Sequence, residues 1–75
     1  MLIYADRARH LVTVPYTREA LLAAADRLSI PRHWYHAHTS HPHIDIPVRQ
    51  SARILSDPRV VIVTSREIVR MEMLR

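Results

Sequence analysis

Short apolar runs alternate with polar breaks along the chain, and most runs carry a period. Leu2-Ile3-Tyr4-Ala5 is apolar and predicts a first strand, followed by a polar turn at Asp6-Arg7-Ala8-Arg9. His10-Leu11-Val12-Thr13-Val14 is rich in β-branched residues and predicts a second strand, ended by Pro15. Leu21, Ala24, Ala25 and Leu28 recur at i, i+3, i+4 and i+7, the spacing of an amphipathic helix. Thr17 is placed to cap that helix, and Tyr16 to staple onto Leu21. The helix should end near Ser29, because Ile30 precedes Pro31 and is pushed out of the helical region.

Pro31 to His38 reads as one short helical turn with Trp34 and Tyr35 partly packed, and Thr39-Ser40-His41-Pro42 as loop. Ile44 and Ile46 then alternate with His43 and Asp45. That period of two predicts a short strand with the isoleucines inward and the polar pair outward. Pro47 opens a helix whose expected inner face is Val48, Ser51, Ala52 and Leu55, with Arg49 and Arg53 outward and Asp57-Pro58 as its stop. Val60-Val61-Ile62-Val63 is continuously apolar, as in a strand covered on both faces. Thr64-x-x-Glu67 has the form of a capping box opening a last helix, with Arg70 and Arg75 suited to its C-terminal end. Residues 1–75 thus predict a single compact α/β domain: a small sheet of three to four short strands and about three helices.

Length and composition narrow the classes. A chain of 75 residues makes one domain, and at this size it buries only about 60–65% of its unfolded surface. Cysteine is absent, which removes disulfides and thiol chemistry. No apolar run approaches the roughly 18 residues of a membrane helix. The N-terminus lacks a signal peptide's basic leader, so the expected location is cytoplasmic. All 11 basic residues are Arg; the net charge is +4 and the pI about 10.7. A coding bias accounts for Arg without Lys, but the charge favours an anionic ligand or nucleic acid, and Arg grips phosphate bidentately.

Candidate chemistry concentrates between His33 and Pro47, which holds most of the histidines. His36-x-His38-x-x-His41-x-His43-x-Asp45 supplies metal-ligand types, and alternate strand positions can face one ion. A solvated His-rich loop and an acid–base pair of His43 and Asp45 are the competing readings. A second candidate lies at strand ends, where Asp6 follows the first strand and Thr64-Ser65-Arg66 the last. The latter opens a helix, whose N-terminus favours anions. A third is a spread of arginines (Arg7, Arg9, Arg32, Arg49, Arg53 and Arg66), which Trp34 or Tyr35 would complement by stacking bases. No Gly-rich phosphate loop and no nucleophilic cysteine are present.

Several short motifs together resemble the small bacterial and phage domain-of-unknown-function family numbered 4031. They are Tyr4-Ala5-Asp6, His10-Leu11-Val12, the helix Leu21 to Leu28, Arg32-His33-Trp34-Tyr35, His43-Ile44-Asp45-Ile46-Pro47 and Arg66-Glu67-Ile68-Val69-Arg70. The resemblance implies a compact α/β fold and no assigned activity. It places His10, His43 and Asp45 on family positions and leaves His36, His38 and His41 off them. It implies a ligand-binding site of Asp6, His10, His43, Asp45 and Arg66. Ile44 stands where the family has Tyr, and the glycines usual before the second and last strands are missing.

Three functions follow as expectations. The leading one is a cytoplasmic module binding a phosphate-bearing ligand, nucleotide or nucleic acid. Arg66 and the last helix N-terminus would hold the anion, His10 and His43 would donate hydrogen bonds, and Asp6 and Asp45 would orient them. The second is a small hydrolase with a divalent metal ion on His10, His43 and Asp45 and with Asp6 as general base. The third is a phage or host interaction module without catalysis, with Trp34 and Tyr35 suited to a homodimer or partner interface.

Overall fold

The computed structural model describes residues 1–37 and 40–73. Strands β1 (Leu2–Ala5), β2 (His10–Val14), β3 (Tyr35–His36), β4 (His43–Asp45) and β5 (Val60–Ile62) form one sheet in the order β3-β4-β2-β1-β5. β1 and β5 run parallel, and the other neighbours pair antiparallel. Helices α1 (Arg18–Arg27), α2 (Ser51–Leu55) and α3 (Ser65–Met73) complete the α/β domain. None of the described helices is long and apolar enough to cross a membrane.

The sheet has five strands where three to four were expected. The additional one, β3, comes from the segment read as a helical turn. Only Arg32–Trp34 coils there, as a single 3-10 turn. Tyr35 is already extended, and Tyr35 and His36 pair with Ile44 and His43.

The cross-strand pairs sort the side chains onto two faces. Ala5, Leu11 and Ile44 line up across β1, β2 and β4 and are fully buried. α1 packs on this face with Leu21, Ala24, Ala25 and Leu28, and Ile54 of α2 joins them. Thr17 caps α1 as its position suggested, accepting the Ala20 N–H at 3.1 Å. Tyr16 packs against the same core, and its hydroxyl donates to the Pro42 carbonyl. Ile44 and Ile46 both point inward, as their alternation required.

Two inner faces differ from the periodic reading. Pro47 is followed by a 3-10 turn, Val48–Gln50, before α2 begins. Its tighter winding shifts the phase, so Val48 and Ala52 are exposed and Ile54 is buried, while Leu55 packs against the core as expected. β5 is an edge strand rather than a central one: Val60 is buried but Val61 is exposed. Arg9, just before β2, has φ 72°, in the left-handed region that glycine enters most readily.

Ile44 is the best test of this core, because it sits where β4, β2 and α1 meet. Ile44→Ala should lower stability by about 2–5 kcal/mol, whereas exposed Val48→Ala should change it by less than about 0.5 kcal/mol. Urea denaturation of both variants checks this; similar midpoints would place Ile44 outside the core.

Candidate functional site

The face of the sheet opposite α1 carries the polar residues. His10 of β2 stands across from Asp45 of β4, and His36 of β3 across from His43. Because strand side chains alternate, these four share the face that Leu11 and Ile44 do not. α3 packs against this side of β2 and contributes Ser65, Ile68 and Glu72 to a hollow lined also by His10, His41 and His43.

Asp6 sits at the C-terminal end of β1, only 1% exposed. Its Oδ1 accepts the His10 backbone N–H at 2.9 Å, and its Oδ2 faces His10 Nδ1 at 2.9 Å. Burial pushes the Asp6 carboxyl up. Hydrogen bonds from the His10 backbone, the Ser65 side chain and the His10 ring outweigh that and hold it below its ordinary range. An ionised carboxylate only accepts, so His10 Nδ1 donates to it, which in a neutral ring places the lone pair on Nε2.

His43 is anchored in the same way from the other side. Its Nδ1 donates to the His41 carbonyl at 3.0 Å, and its Nε2 lies 3.0 Å from Asp45 Oδ1. Both nitrogens thus face acceptors, an arrangement satisfied by the doubly protonated ring or by a cation between Nε2 and Oδ1. Asp45 Oδ2 faces His36 Nε2 at 2.8 Å. The His36 and His43 rings stack at 5.5 Å, and the His10 ring meets His43 edge-on at 5.4 Å. Ligand atoms of His10, His43 and Asp45 lie within 4.8 Å of one another.

Glu72 reaches this group from α3, its Oε2 3.7 Å from His43 Nδ1. Burial pushes its carboxyl up, against the opposing pull of His43, His41 and His10. The sequence reading passed over Glu72 as a site residue, and it named His36 only within the histidine series and Ser65 only at the start of the last helix. One signal was available: Ser65, Ile68 and Glu72 share a helical stripe, and a carboxylate on a buried stripe needs a partner.

The structure brings together Asp6, His10, His43 and Asp45, four of the residues named for a common site, but not Arg66. α3 turns about 100° per residue, so with Ser65, Ile68 and Glu72 inward, Arg66 and Arg70 project away. Arg66 is exposed, makes no hydrogen bond or ion pair among the described residues, and lines a neighbouring hollow with Val69, Arg70 and Met73. The α3 N-terminus is also partly spoken for: Thr64 Oγ1 accepts the Glu67 N–H at 3.1 Å. His36, which the family resemblance set aside, is in contact with Asp45. His38 and Arg75 lie outside the described residues.

The lowered Asp6 carboxyl has a pH signature. Its contribution to stability is present above the ordinary carboxylate pKa and is lost as pH falls through the lower folded value. Below about pH 4, wild type should therefore lose stability faster than Asp6→Asn, while at neutral pH wild type is the more stable. Urea midpoints of both proteins across this range read the difference; parallel curves would remove Asp6 from this role.

Compared with known proteins, the chain matches no family model, no curated protein and no solved structure.

Proposed function

We propose that this chain is a small metal-dependent domain of the hydrolytic kind, with His10 Nε2, His43 Nε2 and Asp45 Oδ1 as ligands of one divalent ion. The observation that carries the reading is the outer support of each ligand. Asp6 holds His10 Nδ1, the His41 carbonyl holds His43 Nδ1, and His36 holds Asp45 Oδ2. Metal-binding histidines are oriented by such carboxylate and carbonyl acceptors, which set the tautomer and aim the other nitrogen.

The spacing suits an ion. Zinc–nitrogen and zinc–oxygen bonds of about 2.0–2.2 Å in a tetrahedron put neighbouring ligands about 3.3 Å apart. His43 Nε2 and Asp45 Oδ1 are already 3.0 Å apart. The remaining contraction falls to the His10 ring, which is 43% exposed and has room to swing. Two imidazoles and a carboxylate suit zinc, iron or manganese, and three protein ligands leave a coordination position for water or substrate. The ion would supply Lewis acidity there.

Asp6 is the outer carboxylate in this scheme rather than the general base, because its oxygens are engaged by His10 and Ser65. Glu72 lines the hollow and is the carboxyl placed to take a proton from water. A discrete phosphate site centred on Arg66 has less support, since Arg66 projects away from the histidines. A chain without cysteine suits the reducing cytoplasm.

Zinc and manganese titrations by calorimetry test the proposal. His10→Ala, His43→Ala and Asp45→Ala should each abolish saturable binding. His36→Ala should weaken it about 10–100-fold, as expected of an outer support. Exposed His33→Ala, beside Trp34 and away from the cluster, should leave it unchanged. Absence of saturable binding to wild type, or an equal loss from His33→Ala, would defeat the proposal.

A further inference from the structure

The hollow over the histidines is not isolated. It has a volume of about 290 Å³ and shares Ser65 with a hollow of about 400 Å³ lined by Arg7, Ala8, Thr64 and Glu67. On its other side it shares Val69 with one of about 360 Å³ lined by Arg66, Arg70 and Met73. The three hollows adjoin along α3: the one over the histidines lies between one lined by Arg7 and one on the outer side of the helix lined by Arg66 and Arg70.

Lack of an acid partner does not set these arginines apart, since exposed Arg18, Arg27 and Arg49 show none among the described residues either; their place beside the histidine hollow does. Arg32 is paired with Asp26 and Arg59 with Asp57, at 2.7 and 2.8 Å. Among the described residues, Arg7, Arg66 and Arg70 have no carboxylate partner and are exposed. Their charge is uncompensated at close range, and guanidinium forks match phosphate oxygens bidentately. The one acid in the first turn of α3, Glu67, is turned back onto Thr64 at 3.3 Å.

Positive charge on both flanks of a central site fits an extended polyanion better than a lone phosphate. Val69 and Met73, 51% and 70% exposed, add apolar surface beside Arg66 and Arg70. Base faces are open to such surface in a single strand and stacked away in a duplex. Resting on the metal-centre reading above, we propose that these adjoining hollows bind single-stranded nucleic acid. The flanking arginines hold successive phosphates and lay one phosphodiester across His10 and His43.

Fluorescence anisotropy of a labelled dodecathymidylate, added to the zinc-loaded full chain at two salt concentrations, tests this. Arg66→Gln/Arg70→Gln should weaken binding at least tenfold. It should also reduce the slope of log K against log salt by about 1.4, at about 0.7 per phosphate released from a single strand. Arg7→Gln should reduce the slope by about half as much, and Arg49→Gln, on the far side beside Trp34, should change neither quantity. An equal loss from Arg49→Gln would overturn this site in favour of a diffuse basic surface. Equal or tighter binding of a duplex would overturn the single-strand assignment. Normal zinc titration without oligonucleotide binding would overturn the nucleic-acid site and leave the metal centre standing. Oligonucleotide binding with no zinc titration would overturn the metal centre, and with it the placement of a phosphodiester across it.

Discussion

The rung between Leu11 and Ile44 and the next, between His10 and Asp45, lie on opposite faces of the β2–β4 pair. The first closes the hydrophobic core under α1. The second brings an imidazole and a carboxylate together under α3. A slip of one residue would exchange the two faces, putting His43 and Asp45 into the apolar layer and the isoleucines into the polar hollow. Burial of Ile44 and Ile46 opposes that slip. The hydrophobic effect on one face thus sets the geometry of the polar cluster on the other, although the two never touch.

On the polar side, the cost of burying charge is met by pairing. Asp6 is fully inside, yet the His10 backbone, the His10 ring and Ser65 all donate to it, so it stays ionised more readily than a free carboxyl. Glu72 has a weaker contact, 3.7 Å from His43, and burial prevails. Two carboxyls near the same histidines therefore differ in character. One is a fixed negative acceptor that aims a ring, and the other retains a proton more readily. Among the arginines, Arg32 and Arg59 are each neutralised by a neighbouring acid, whereas Arg66 and Arg70 on α3 have none among the described residues.

Much of this was legible in local patterns. Apolar spacing located α1, Thr17 and Thr64 marked helix starts, and alternation gave the inward isoleucines with His43 and Asp45 on the reverse side. A resemblance in short motifs raised the expectation that Asp6, His10, His43 and Asp45 belong together. Where periodicity misled, a local winding or a sheet position intervened: the 3-10 turn before α2 rephased its inner face, and the edge location of β5 left Val61 uncovered.

The sequence by itself determined which side of its own element most of these side chains take, because helix and strand periods are properties of the local backbone. Only the tertiary structure decided which elements meet across those sides. Pairing of β3 with β4 set His36 on Asp45, and the docking of α3 against β2 brought Glu72 to His43 while turning Arg66 outward. His36 and Asp45 are near in sequence, but the α3 contacts join residues far apart along the chain. They are set by core packing and strand register, whose energies are summed over the whole domain, and no window of sequence contains them.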